Sequence, residues 1–120
     1  MGKYVDGFVI PISKYNVIEY RLKAEKAGAI WKEHGALAYW ECLGDDMNGE
    51  GFVSFRNAAK AEAEEAVIFS WIVYESREHR DQVNAAVMAD PRIAEMMEPG
   101  FQPFDSKRMI YGGFKKLVEF

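Results

Sequence analysis

The chain is poor in residues that form cross-links or bind metals, with one cysteine, Cys42, and two histidines, His34 and His79. A lone cysteine excludes a disulfide within the chain. Two distant histidines and one thiol offer none of the short ligand spacings of stable zinc sites, so we predict no metal site. The sequence also lacks a signal-peptide core and an apolar run long enough to span a membrane. We therefore expect a cytoplasmic protein with no membrane partner.

Positive charge is also in deficit, with 15 Lys and Arg against 19 Asp and Glu and a formal net charge of -4. Binding to nucleic-acid phosphates favours a basic excess, so we expect no nucleic-acid partner. A glycine-rich phosphate loop is missing as well. The Gly112-Gly113 pair precedes no helix and indicates a bulge or a close backbone approach instead. We predict no cofactor.

Apolar residues, in contrast, make up 49% of the 120 residues and include eight Phe, six Tyr and three Trp. This length fits a single domain over residues 1–120. Aromatic surface in such excess has to be buried, and a second copy of the chain would bury it.

Apolar periodicity predicts strands at 4–12, 36–43, 66–74 and 107–120, and helices at 17–34 and 77–88. The order βαββαβ is that of a ferredoxin-like α+β fold, an antiparallel sheet with both helices on one face. Because the strands are apolar on both sides, the other face is left bare. Two such faces packed together would form a C2 homodimer.

A long connection, 44–65, separates the second and third strands. Connections of this length often act as lids or binding loops, and residues 51–55 are expected to add a short strand there. A capping pair, Asn16 with Glu19, is expected to begin the first helix.

Several segments resemble one known family. They are 4–11 (YVDGFVIP), 24–37 (AEKAGAIWKEHGAL), 69–74 (FSWIVY), 88–91 (MADP) and 107–114 (KRMIYGGF). Over nearly its whole length the chain is similar to the YbaA-like family of small bacterial proteins of unknown function. The resemblance implies a dimeric α/β barrel, the fold of antibiotic-biosynthesis-type monooxygenases and muconolactone isomerases. It implies no established activity.

Two side chains are candidates for a catalytic base, His34 and Asp6. The His34 imidazole, at the end of the first helix, is either a capping group that interacts with the helix dipole or a base that titrates near neutrality at the mouth of a cavity. Asp6 and Arg108, on or beside the first and last strands, either polarise that cavity or form an ion pair that fixes strand register.

Aromatic residues on the strands indicate a pocket. We predict ligand contacts at Tyr39, Trp71 and Tyr111, with Arg108 and Glu41 among the polar groups. Alternation places Glu41 on the same strand face as Tyr39, and Asp6 on the same face as Phe8. The sequence does not specify which of the two sheet faces lines the cavity.

Three functions are compatible with these features. The first is a homodimer that binds a small apolar or aromatic molecule in a cavity between sheets. The second is a cofactor-independent monooxygenase or isomerase, in which His34 or Asp6 removes a proton from an activated carbon. The third is a structural or protein-interaction dimer with a filled core and no ligand.

Overall fold

A four-stranded sheet forms the centre of the molecule, whose computed structural model describes residues 2–98 and 102–120. The strands span Tyr4–Ser13 (β1), Ala38–Leu43 (β2), Glu65–Tyr74 (β3) and Ile110–Lys115 (β4). Their order across the sheet is β2-β3-β1-β4, and each neighbouring pair is antiparallel. The predicted α+β fold with an antiparallel sheet is confirmed.

Helices cover one face of this sheet. The helices span Val17–Glu33 (α1), Phe55–Ala58 (α2), Arg77–Met88 (α3) and Pro91–Met96 (α4). Ile30 of α1 and Val87 of α3 join Tyr74 of β3 in one buried cluster, and Tyr20 of α1 joins Ile10 of β1 in a second. The face that carries alternate strand residues such as Ile10 and Tyr74 is therefore the helix-covered face.

Side-chain caps position two of these helices. The Ser76 hydroxyl accepts a hydrogen bond from the backbone N–H of His79 at 3.0 Å, which starts α3. The Asp90 carboxylate accepts one from the backbone N–H of Arg92 at 2.9 Å, which starts α4. The predicted cap at Asn16 is wrong, because the Asn16 side chain forms no cap to α1 and donates to the carbonyl of Pro103 at 3.0 Å.

The connection after β2 contains a short helix, and the strand predicted at 51–55 is wrong, because residues 51–54 are turn or irregular backbone. The Ser54 hydroxyl accepts a hydrogen bond from the backbone N–H of Asn57 at 3.0 Å, so residues 55–58 become α2. Phe55 then packs edge-on against Phe69 of β3, with ring centroids 5.7 Å apart. This contact attaches the connection to the sheet.

The last strand is shorter than the sequence predicts. It ends at Lys115, which pairs with Tyr4, the first residue of β1. Beyond this point the backbone N–H of Lys116 donates to the carbonyl of Lys3 at 3.1 Å, and Leu117 is then 95% exposed. The pairing of β1 with β4 runs without a bulge through Gly113, where an added Cβ would collide with the Tyr4 ring. The close approach predicted for the glycine pair is therefore confirmed.

The second face of the sheet, here called the open face, is apolar and has only α2 at its edge. Its residues are Val5, Val9, Trp40, Cys42, Phe69, Trp71, Val73, Ile110 and Phe114. Trp40 and Trp71 stack at 5.5 Å between ring centroids, and Trp40 is still 58% exposed. One chain therefore leaves a large aromatic surface uncovered, as the sequence predicts.

Candidate ligand cavity

A cavity of about 590 Å³ lies between the helix-covered face of the sheet and α1, α3 and α4. Its floor is formed by alternate strand residues, Asp6, Phe8, Tyr39, Glu41, Ser70, Ile72 and Tyr111. Its walls include Tyr20, Ala24 and Trp31 of α1 and Met88, Ile93 and Met96 of α3 and α4. The cavity lies within one chain, which differs from the predicted cavity between two sheets.

Strand register divides the polar groups of the floor into two sets. One row across the sheet contains Asp6, Ile72 and Tyr39, and the next contains Tyr111, Phe8, Ser70 and Glu41. Asp6 and Glu41 are thus two strands and one row apart, about 12 Å at ordinary strand spacing and rise. We name the two sets the Asp6 corner (Asp6, Arg80, Asn84, Tyr111) and the Glu41 corner (Glu41, Tyr20, Tyr39, Ser70).

In the Asp6 corner, the carboxylate is 1% exposed and surrounded by donors. The Arg80 Nη1 atom donates to Asp6 Oδ1 at 2.6 Å and to the Tyr111 hydroxyl at 2.8 Å. Asn84 and Tyr111 also form hydrogen bonds with Asp6. Burial raises the pKa of Asp6, and the Arg80 charge only partly opposes this effect. The corner ties β1 and β4 to α3.

Asn84 closes this end of the cavity. Its Oδ1 atom accepts hydrogen bonds from the Tyr74 hydroxyl at 3.1 Å and from Trp31 Nε1 at 3.2 Å. One amide therefore joins α1, α3 and β3, and it orients the Trp31 ring in the cavity wall.

In the Glu41 corner, two phenols hold one carboxylate. The Tyr20 hydroxyl donates to Glu41 Oε1 at 2.7 Å, and the Tyr39 hydroxyl donates to Oε2 at 2.6 Å. Burial, with the Glu41 charge, raises the pKa of both tyrosines, so both hydroxyls keep their protons at neutral pH. A carboxylate has about four acceptor positions, so Glu41 retains acceptor capacity on each oxygen.

Ser70 is the polar residue in the middle of the floor. It is 4% exposed and lies directly between Phe8 of β1 and Glu41 of β2. Across the chain segments that the structure describes, its hydroxyl forms no hydrogen bond. The side chain lines the cavity, so the hydroxyl is open to a molecule inside it.

A glycine in α1 brings the helix close to this floor. Gly28 is buried, and a Cβ placed there would lie 2.8 Å from Cδ1 of the Tyr39 ring. Only glycine lets the helix backbone approach the ring so closely. The Tyr39 hydroxyl reaches Glu41 from this position.

The candidate base His34 lies outside the cavity lining. It is the C-terminal cap residue of α1, and its Nε2 atom is 2.9 Å from Asp90 Oδ2. Hydrogen bonds from Arg92 and His34 lower the pKa of Asp90 far below its usual range. His34 is thus the C-cap residue of α1, and its side chain links the end of α1 to the start of α4.

Arg108 also lies away from the floor, in a 3-10 turn before β4. Its guanidinium donates to both carboxylate oxygens of Glu65, at 2.7 and 2.8 Å. The expected ion pair of Asp6 with Arg108 is wrong, because Arg80 occupies that position beside Asp6.

The predicted pocket residues Tyr39, Trp71 and Tyr111 do not share one face. Tyr39 and Tyr111 line the cavity. Trp71 pairs with Trp40 and with Gly7, whereas Tyr39 pairs with Ile72, the next residue of β3. Trp71 therefore lies on the open face. Strand alternation is visible in the sequence, but the phase between strands depends on register.

Sequence reasoning did not single out Arg80 and Asn84, which both lie on α3. A signal was available, because these residues are four apart and flank Val83, which is buried. Residues three and four apart share a helix face, so this spacing indicates polar groups that point toward the sheet.

Neither a metal site nor a membrane span is found in residues 2–98 and 102–120. No group of three or more His, Cys, Asp or Glu side chains there could hold a metal ion. None of the helices is long and apolar enough to cross a membrane.

Sequence similarity to known proteins shows the family of this chain. Residues 3–106 match DUF1428, described as "Protein of unknown function (DUF1428)". The chain is 47% identical over 117 residues to "Uncharacterized protein YbaA" of Escherichia coli (strain K12), covering 98% of both chains. The same values hold for "Uncharacterized protein YbaA" of Shigella flexneri. A solved structure, "De novo designed protein Foldit4", is similar over 98% of this chain and 99% of its own, with a TM-score of 0.46 and 8% identity. As its resemblance to YbaA-like proteins predicts, the chain belongs to the DUF1428 family.

Proposed function

We propose that this protein binds a small, largely apolar molecule in the cavity between the sheet and the helices. The observation that carries the proposal is the cavity itself, about 590 Å³, with apolar and aromatic walls and a few polar groups at two corners. Ligand pockets typically have this volume and this composition. The ordering of Trp31, Tyr39 and Tyr111 by hydrogen bonds prepares these aromatic walls before a ligand arrives.

A cavity-filling variant tests this proposal. Ala24 lines the cavity on α1, whereas Ala85 is an exposed residue of α3 outside it. With 2-methylnaphthalene as probe and isothermal titration calorimetry as readout, we expect Ala24→Leu to weaken binding at least tenfold, because the added side chain occupies the ligand volume. Ala85→Leu should match the wild type within twofold. Equal binding by both variants would instead support the third interpretation, a dimer that needs no ligand.

We also propose that the open face packs on a second copy of the chain. The support is its contiguous apolar surface, with Trp40 58% and Phe114 61% exposed. Monomeric proteins rarely leave apolar patches of this size in contact with water. A sheet-to-sheet homodimer would bury them and leave both cavities on the outer, helix-covered sides.

A catalytic role is the second candidate, favoured by Asp6. This carboxylate is buried in the cavity floor, and its raised pKa is typical of groups that take part in proton transfer. A cofactor-independent monooxygenase or isomerase would use Asp6 as the base, since His34 lies elsewhere. The two functions differ in one readout, because an enzyme would consume its ligand, while an Asp6→Asn variant would bind the ligand without turnover.

A further inference from the structure

The chemistry of the ligand is indicated by two neighbouring floor residues, Ser70 and Glu41. They lie opposite each other on adjacent strands, on the face that lines the cavity. The Cβ atoms of such pairs are about 5 Å apart, so one ligand atom can contact both side chains.

Ser70 is the first half of this site. An apolar residue would fit its position, since its neighbours on β3, Ile68 and Ile72, are buried and aliphatic. The residue is 4% exposed, and its hydroxyl forms no hydrogen bond to a described residue. Because the side chain lines the cavity, the hydroxyl is available to a molecule inside it.

Glu41 is the second half. Tyr20 and Tyr39 each donate one hydrogen bond to it, which fixes the carboxylate and leaves acceptor positions on both oxygens. Ser70 therefore offers an O–H donor beside an acceptor that is already oriented.

We propose that this pair binds a hydroxyl group on an apolar, aromatic ligand, which donates to Glu41 and accepts from Ser70. A hydroxyl supplies one donor and acceptor lone pairs at the same atom. An ammonium has no acceptor for the Ser70 proton, and an ether oxygen has no donor for Glu41.

The formal charges around the cavity favour a neutral ligand of this kind. Asp6 is paired with Arg80, and Lys23 lines the cavity together with Glu41. The Phe8 ring lies beside Ser70 on the other strand, where it can pack on an aromatic body.

This inference rests on the proposed function, and the experiment separates the two. The probes are 2-naphthol and 2-methylnaphthalene, which differ at one substituent, with dissociation constants measured by isothermal titration calorimetry. We expect the wild type to bind 2-naphthol at least tenfold more tightly. Ser70→Ala should remove most of this preference, and Glu41→Gln should reduce it.

We expect Ser70→Ala to fold like the wild type, because it removes one oxygen and leaves the Glu41 hydrogen bonds to Tyr20 and Tyr39 in place. Equal binding of the two probes by the wild type, or an unchanged preference in Ser70→Ala, would overturn the inference and leave the cavity proposal standing. Failure of both probes to bind would overturn the cavity proposal and this inference together.

Discussion

At the scale of single residues, the cavity depends on polar groups that hold one another in place. Glu41 is fixed by two phenols, and Asp6 by a guanidinium, an amide and a phenol. Networks in which each member has partners are rigid, and a partly satisfied member is costly. Ser70 differs from these groups, because its hydroxyl forms no hydrogen bond with a described residue.

Gly28 tests how tightly the floor is held. In an exposed helix, Gly→Ala stabilises by up to about 1 kcal/mol through helix propensity. At Gly28 the new Cβ would lie 2.8 Å from the Tyr39 ring, which its hydrogen bond to Glu41 prevents from moving freely. We expect the clash to dominate, so Gly28→Ala should lower the free energy of unfolding by about 1–3 kcal/mol in urea titrations.

Gly49→Ala is the control for this substitution, because a Cβ there makes only ordinary contacts, 3.5 Å and beyond. Its stability should stay close to that of the wild type. A Gly28→Ala protein as stable as the wild type would show that the Tyr39 ring moves without cost, and that the Glu41 corner is not rigid.

At the scale of secondary-structure elements, ion pairs connect parts of the chain far apart in sequence. Arg108 joins the turn before β4 to Glu65 at the start of β3, and it also donates to the backbone carbonyl of Lys60 at 2.9 Å. The Glu65 side chain is 14% exposed. This connection holds the end of the 44–64 segment against the last turn of the chain.

The Glu65 pair predicts a specific acid response. Hydrogen bonding to Arg108 lowers the pKa of Glu65 from 4.5 to about 2. The folded state therefore binds fewer protons than the unfolded state between these values, and the stabilisation is complete above pH 4.5 and lost as the pH falls toward 2. We expect Glu65→Gln to be less stable than the wild type at pH 7, with the difference shrinking toward pH 2.

Glu62→Gln is the matched control, since Glu62 is an exposed residue in the same segment whose backbone carbonyl, not its carboxylate, contacts Arg56. Its loss of stability at pH 7 should be smaller than that of Glu65→Gln, because its carboxylate forms no hydrogen bond with Arg108. Chemical denaturation at a series of pH values measures both variants, and a pH-independent Glu65→Gln difference would contradict the assigned role of the pair.

The helices and strands were largely predictable from the sequence. Which residues of neighbouring strands share a face of the sheet was not. The apolar run of β3 predicts that strand, and apolar periodicity predicts α3 at its observed bounds, 77–88. Whether Trp71 shares a face with Tyr39 depends on a one-residue register between β2 and β3, which periodicity within a strand does not specify. Periodicity also does not show which helix residue lies above which strand residue. The ion pair of Asp6 with Arg80 of α3 was therefore not predicted.

At the scale of the whole molecule, a single chain leaves the apolar open face exposed to solvent. Four strands at ordinary spacing and rise present a face of about 500 Å², whereas a stable interface buries about 800 Å² on each partner. Phe55 of α2 contacts Phe69 at the edge of the face, so the 44–64 connection extends the apolar surface toward the area that a dimer needs. Phe52 and Val53, 86% and 84% exposed, lie just before α2 and add to it.

A charge on the open face should therefore separate the proposed dimer. Phe114, 61% exposed on β4, and Leu22, 57% exposed on α1, are equally accessible apolar residues. Phe114→Glu would place a carboxylate in the proposed apolar interface, where it lacks a partner, so we expect the dimer to dissociate. Leu22→Glu lies on the helix-covered side and should leave the dimer intact. Light scattering after size exclusion measures both masses, and a monomeric wild type, or dimers of both variants, would contradict the sheet-to-sheet arrangement.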